Sequence, residues 1–271
     1  MTQISILGCG WLGLPLAKRL IAKGTRINGS TTTESKLSIL ENAGINAFLV
    51  SIESDDISEI IIPFLDKSDV LIIDIPPKLR AENQDSEQQI FVEKIKNLIS
   101  FIEKSAVKKI LFVSSTSVYG NENSTITEET NPNPDTESGK QLLLAEALLQ
   151  NNPNFETTIL RFGGLLGEDR QPVNFLAGKE NIANPDAPVN LIHQQDCIGV
   201  IEEILNRSKW NEVFNAVAPF HPTREDYYTK KAINLNLALP RFSSEQSDIR
   251  KIISSEKVET VLNYTFKLEN Y

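Results

Sequence analysis

Gln3-Ile4-Ser5-Ile6-Leu7-Gly8-Cys9-Gly10-Trp11-Leu12-Gly13-Leu14-Pro15-Leu16-Ala17-Lys18-Arg19-Leu20 is a short apolar strand, a G-x-G-x-x-G turn and the start of an amphipathic helix. The order matters more than the glycines alone, because a strand–turn–helix is what a dinucleotide diphosphate needs. Gly8 allows the tight turn, Gly10 lets backbone approach phosphate oxygens, and Gly13 lets the helix pack on the strand. The backbone of Trp11 and Leu12 lies between the second and third glycines, where the helix N-terminus offers free N–H groups and a positive dipole end.

Outward from this loop, strands and helices alternate through residue 165. The sequence predicts strands at Gln3–Leu7, Arg26–Thr31, Ala47–Ile52, Val70–Ile75, Lys109–Ser114 and Thr157–Arg161. It predicts helices at Trp11–Ala22, Glu34–Ala43, Asp56–Phe64, Ser86–Lys104 and Gly139–Gln150. Runs such as Val70-Leu71-Ile72-Ile73 and Ile110-Leu111-Phe112-Val113 have no polar face, as in parallel strands covered on both sides. The expected fold is α/β, a Rossmann-like doubly wound parallel sheet. Residues 1–165 form its dinucleotide-binding unit, with 189–218 packing back onto it through a helix at Gln195–Asn206 and a strand at Glu212–Ala216. Residues 166–188, rich in Pro and Gly, join 219–271, with a helix at Glu225–Leu235 and an irregular tail, in a small C-terminal substrate lobe.

Composition narrows the class of partner. The 271 residues carry a net charge of −9, are 40% hydrophobic, and contain two cysteines and two histidines. A pI near 4.9 argues against nucleic acid and anionic membrane surfaces, which select basic patches. Cys9 and Cys197 make no disulfide framework, and no Cys/His cluster has metal-ligand spacing. With a strand already at residue 3 and no long apolar run, the expectation is a cytoplasmic protein with a small-molecule substrate, no metal, and a homodimer as its assembly.

In a doubly wound sheet ligands lie beyond the carboxyl ends of the strands. The residues placed there are Thr31 and Thr32, with Lys36 following; Ile75, Pro76 and Pro77; Ser114 and the Ser115-Thr116-Ser117-Val118-Tyr119-Gly120 run; and Phe162-Gly163. No acid ends the second strand to meet a ribose 2′-hydroxyl. The small hydroxyls and Lys36 favour NADP over NAD.

Four stretches in order resemble the extended short-chain dehydrogenases/reductases, the NAD-dependent epimerase/dehydratase family. They are the glycine turn, Ser114-Ser115-Thr116-Ser117-Val118-Tyr119-Gly120, Leu160-Arg161-Phe162-Gly163-Gly164-Leu165-Leu166-Gly167, and Asn190-Leu191-Ile192-His193-Gln194-Gln195-Asp196. The resemblance implies NAD(P) chemistry on a small, sugar-nucleotide-like substrate, with Ser115 as the catalytic hydroxyl. It also implies a Tyr-x-x-x-Lys pair, whose lysine lowers the phenol from its ordinary value of about 10. That pair is missing. Aligning on Gly139 and Ala145-Glu146 puts Ser138 and Leu142 in its place; aligning on the lysine puts Thr136 and Lys140 there. Lys140, Ser138 and Tyr119 are the candidates to replace the lost acid/base, against a structural role in which Tyr119 is packed, Lys140 solvated and Ser138 a helix cap. The alternative function is a non-catalytic NAD(P)-binding sensor or regulator.

Overall fold

The computed structural model describes residues 2–54, 57–77, 90–121, 123–245 and 249–267. From the amino end, β1 (Gln3–Leu7) leads through the glycine turn into α1 (Gly13–Ala22), then β2 (Arg26–Thr31), α2 (Leu37–Asn42), β3 (Asn46–Leu49), α3 (Ile61–Leu65) and β4 (Val70–Ile73). The second half of the sheet follows with α4 (Ile90–Ile102), β5 (Lys109–Ser115), β6 (Thr125–Ile126), α5 (Glu137–Gln150) and β7 (Glu156–Phe162). After these come β8 (Gly164–Leu166), β9 (Leu191–His193), α6 (Gln194–Asn206), β10 (Val213–Ala216), α7 (Arg224–Asn234), β11 (Ile252–Ile253) and α8 (Glu256–Val261).

Seven parallel strands pair in the order β3-β2-β1-β4-β5-β7-β10. The direction of winding reverses between β1 and β4, so a crevice opens at their carboxyl ends. β4 explains the two-sided burial: Val70 and Ile72 join a core with α1, α6 and α8, while Leu71 and Ile73 join a second core with α3, α4 and α5. Ser5, buried on β1, is paired: its Oγ donates to the Phe64 carbonyl and shares a hydrogen bond with Ser68 Oγ, both at 2.6 Å. Among the described residues no helix is long and apolar enough to cross a membrane.

Several element boundaries differ from expectation for local reasons. β3 stops at Leu49, because β2 offers no partner beyond Thr31. Ile52 and Ile57 instead form an antiparallel bridge, which delays α3 until Ile61; Asp56 lies outside the described residues. The helix expected from Glu34 opens as a 3₁₀ turn, Glu34–Lys36, since Thr33 supplies no side-chain cap. β4 ends at Ile73, and the described part of α4 begins at Ile90; Ser86–Gln89 lie outside the described residues. α5 begins two residues early because Thr136, not Ser138, is its cap: Thr136 Oγ1 accepts the Gly139 N–H at 3.1 Å.

The carboxyl end divides between two hydrophobic clusters. Leu166, Val189, Leu191 and Tyr227 form a small third hydrophobic cluster, which draws on both 166–188 with 219–271 and the 189–218 stretch. The tail does not belong to it: Val258, Leu262, Tyr264 and Phe266 complete the α1–α6 core. Tyr264 Oη donates to Asp196 Oδ1 at 2.7 Å, and the Lys267 N–H donates to the same oxygen at 2.9 Å. Gly199 makes room for this latch, since a Cβ there would sit 2.3 Å from Tyr264 Oη. Residues 268–271 lie outside the described residues.

Candidate functional site

The glycine turn has the geometry its residue types imply. Gly8 has a φ of +106°, and a Cβ on it would come 2.3 Å from the Asp74 carbonyl oxygen. Its N–H donates to Ser30 Oγ at 2.9 Å, and the Cys9 N–H to the Ser30 carbonyl at 2.8 Å, fixing the turn to β2. A Cβ on Gly13 would lie 2.3 Å from the Gly8 carbonyl oxygen, so α1 reaches β1 only without one. A Cβ on Gly10 would meet nothing within 4 Å; this glycine borders open space. Leu12, the N-cap of α1, supplies no side-chain hydrogen bond, so the helix start is not closed by its own cap. Burial pushes the Cys9 thiol up to about 12, which leaves it protonated and inert.

Sequence reasoning passed over Asp74, directly after the last residue of β4. Burial pushes its carboxyl up to about 7, opposed by the nearby Gly13 backbone N–H. The signal was an acid ending a strand with no other polar residue.

Trp11 is clamped rather than open. Nε1 donates to Asp169 Oδ1 at 2.8 Å, the Arg170 guanidinium stacks 5.2 Å from the ring centroid, and Gln194 Nε2 donates to the Trp11 carbonyl at 2.6 Å. Gly167 and Arg170 exchange both backbone hydrogen bonds, so the chain after β8 makes a tight turn against the glycine loop. A cavity of about 460 Å³ opens beside it, between Trp11, Leu14, Glu168, Asp169 and His193. His193 Nδ1 accepts the Gln195 N–H at 3.2 Å and caps α6. Burial lowers its pKa.

At the end of β5 the two serines part company. Ser114 Oγ donates to Glu146 Oε1 at 2.6 Å, away from the crevice where it was expected. Glu146 and Arg161, both almost fully buried, form an ion pair at 2.5 Å. Arg161 Nη1 donates to Tyr119 Oη at 2.7 Å, and Tyr119 Oη donates to Asn215 Oδ1 at 2.9 Å. Tyr119 is therefore a packed, fully partnered phenol with 0% exposure. Burial raises its pKa, against the opposing charge of Arg161. This corrects its placement near the crevice. Ser115 stays outside this network; half-buried, its Oγ accepts the Ser117 N–H at 3.1 Å and caps the 3₁₀ turn Thr116–Tyr119.

The face of α5 is set by Gly139, whose Cβ would lie 2.6 Å from the Ser117 carbonyl oxygen. The helix start thus packs on the exit of β5. Ser138 is half-buried there, and Leu142 is in the core at 4% exposure. Lys140 is 57% exposed, its Nζ 3.8 Å from Glu137 Oε2.

At the end of β2, Thr31 is buried and its Oγ1 accepts the Thr33 N–H at 3.1 Å, while Thr32 and Lys36 are exposed. Ile75 and Pro77 are half-buried and Pro76 exposed past β4, with Ile75 Cγ2 3.3 Å from where a Gly8 Cβ would be. The Phe162 ring belongs to the core and not to the crevice. Gly163 lets a neighbouring segment close on β7, since a Cβ there would be 2.7 Å from the Asn190 carbonyl oxygen.

The NAD(P)H-binding family matches residues 8–196. Protein YeeZ of Escherichia coli (strain K12) is 34% identical over 276 aligned positions, covering 98% of this chain and 96% of that one. Among solved structures, UDP-glucuronic acid 4-epimerase from Bacillus cereus in complex with NAD superposes with a TM-score of 0.80 at 17% identity, over 98% of this chain and 92% of that one. A short-chain dehydrogenase/reductase superfamily protein from Agrobacterium tumefaciens with bound NAD gives a TM-score of 0.79 at 17% identity, over the same shares.

Proposed function

Because this chain belongs to the NAD(P)H-binding family and has the fold of the extended short-chain dehydrogenases/reductases, we propose that it binds NADP or NAD at the β1–β4 switch point and acts on a small, sugar-nucleotide-like substrate. The observation that carries this reading is the glycine turn: Gly8 and Gly13 are sterically required, Gly10 borders open space, and α1 starts without a side-chain cap. The backbone of Gly10, Trp11, Leu12 and Gly13 would hold the diphosphate. Thr31, Thr32 and Lys36 would read the ribose, which favours NADP, and Ile75–Pro77 and Gly163 would border the rest of the cofactor. Bound there, a nicotinamide supplies hydride transfer at a carbon bearing oxygen. Ser115, the β5 hydroxyl outside the buried network, would donate a hydrogen bond to that oxygen, with Ser138 opposite it on α5.

A second reading is a non-catalytic NAD(P)-binding sensor. It is favoured by the burial of Leu142 and the enclosure of Tyr119, which leave no phenol–lysine pair at the helix start. Titrating NADPH and NADH against Trp11 fluorescence tests binding, with tighter NADPH expected. A panel of carbonyl compounds and nucleotide sugars, followed at the nicotinamide absorbance with wild type and Ser115→Ala, separates the two readings. Turnover that Ser115→Ala abolishes supports the enzyme; intact binding with no turnover supports the sensor. Failure of both nucleotides to bind overturns both.

A further inference from the structure

Trp11, inside the glycine turn, is gripped from two sides by side chains that the function just proposed does not use. On one side the indole Nε1 donates to Asp169 Oδ1 at 2.8 Å, and the Arg170 guanidinium lies over the ring, 5.2 Å from its centroid. On the other, Gln194 Nε2 donates to the Trp11 carbonyl at 2.6 Å. Both arms grow from one short ribbon. β8 and β9 pair with Leu166 opposite His193, so Gly167 and Gln194 leave it side by side. A Cβ on Gly167 would lie 2.8 Å from Trp11 Cζ2, so the chain can meet the indole here only at a glycine. Gly167 exchanges backbone hydrogen bonds with Arg170 at 3.0 and 3.2 Å, and Gln171 Nε2 donates to its carbonyl at 2.7 Å. These bonds close the turn that presents Asp169.

The grip falls where the loop needs it. Gly10 borders open space, and Leu12 caps α1 without a side-chain hydrogen bond. A peptide unit is planar and trans, so the Leu12 N–H points opposite to the Trp11 carbonyl. By fixing that carbonyl, Gln194 fixes the direction of a backbone N–H at the helix start, one of those that would meet a diphosphate. Asp169 holds the same residue by its ring. Main chain and side chain of Trp11 are thus restrained together.

We propose, on the basis of the dinucleotide reading above, that Asp169 and Gln194 are positioning residues for the diphosphate seat: through Trp11 they hold the loop's backbone donors in the binding orientation. They act through Trp11 and not by contact with the cofactor. The coupling is reciprocal, so a dinucleotide seated on the loop steadies the 167–171 turn in return.

The test is NADH affinity by calorimetry, which does not rely on the indole emission that these substitutions alter. Asp169→Ala and Gln194→Met are each expected to weaken binding about tenfold through one lost hydrogen bond. Asp169 is exposed and Gln194 half-buried, so melting temperatures should stay within about 2 °C of wild type. Asp169→Asn is expected to restore wild-type affinity, because its side-chain oxygen still accepts the indole N–H. Alanine and asparagine remove the same charge, so only the acceptor separates them. Affinities within about twofold of wild type for both Asp169→Ala and Gln194→Met, or a loss in Asp169→Ala that Asp169→Asn does not recover, overturns the proposal. Absence of NADH and NADPH binding to wild type overturns instead the dinucleotide reading on which it rests. If Asp169→Ala or Gln194→Met does not fold, amide hydrogen exchange of the wild type decides: slower exchange across residues 167–171 on addition of NADH supports the proposal, and unchanged exchange overturns it.

Discussion

Replacing Glu146 with leucine is expected to destabilise the protein severely without touching the crevice. The carboxylate accepts Arg161 Nε at 3.1 and 3.2 Å and Nη2 at 2.5 Å, and the Ser114 hydroxyl at 2.6 Å. Glu146 and Arg161 side chains are 1% and 5% exposed, so water cannot replace the lost partner. Breaking a buried ion pair by removing one member costs about 3–5 kcal/mol. Leaving the Ser114 hydroxyl without its acceptor adds about 1 kcal/mol. The total is a large share of a domain's net stability of about 5–15 kcal/mol. At roughly 2 °C per kcal/mol for a chain of this size, the melting temperature falls by about 8–12 °C.

The mechanism, and not only the magnitude, is open to test. If the cost arises from an unpaired guanidinium, the double variant Glu146→Leu/Arg161→Met should recover most of it, because no buried charge remains. Tyr119 keeps its bond to Asn215 in that background. Urea unfolding of wild type, both single variants and the double variant gives the coupling energy directly. A single-variant cost below about 1 kcal/mol, or a double variant no more stable than Glu146→Leu, would refute the reasoning.

Three further outcomes follow from the same geometry. Gly13→Ala puts a methyl group 2.3 Å from the Gly8 carbonyl oxygen; it should abolish NADPH binding in a fluorescence titration and cost about 1–3 kcal/mol in thermal unfolding. Lys140→Ala should leave stability within about 0.5 kcal/mol and NADPH affinity unchanged, and a selective loss of turnover in the same preparation would return Lys140 to the site. Asp74, with its pKa raised from 3.8 to about 7, holds more protons folded than unfolded across that interval, so its contribution to stability is complete below about pH 4 and lost as pH rises through 7. Asp74→Asn should remove that decline and melt above wild type at pH 8 but not at pH 4.

The strand–turn–helix at Gln3–Leu20 was legible because its determinants are neighbours in sequence, and because the buried strands have no polar residue to obscure them. The tail was not. Val258, Leu262, Tyr264 and Phe266 find their place only against α6, through Asp196 and Gly199 far upstream. Tyr119 shows the same limit. Its position after β5 could be read, but its direction is decided by Arg161 on β7 and Asn215 on β10. Lys140 and Ser138 are two residues apart on one helix, and which of them faces inward depends on Gly139 meeting the Ser117 carbonyl across a tertiary contact.

This contrast explains how the binding half and the chemical half of such a site can change independently. The dinucleotide seat needs three glycines, one helix start and a strand end, all supplied within a single β–α unit and its β4 neighbour. The acid/base position of the enzyme reading falls on α5, whose start is held by packing on the exit of β5 and carries a hydroxyl at 138 and a buried leucine at 142. Behind the sheet, the hydroxyls of Ser114 and Tyr119 are consumed by Glu146, Arg161 and Asn215 in a closed network. Among the described residues at this end of β5 and α5, the hydroxyls outside that network include Ser115 and Ser138. Both are aliphatic hydroxyls, too weakly acidic to exchange a proton near neutrality. On the enzyme reading, the acid or base would come from the substrate or from a group that closes with it, whereas binding draws on the loop and on the ends of β2 and β4.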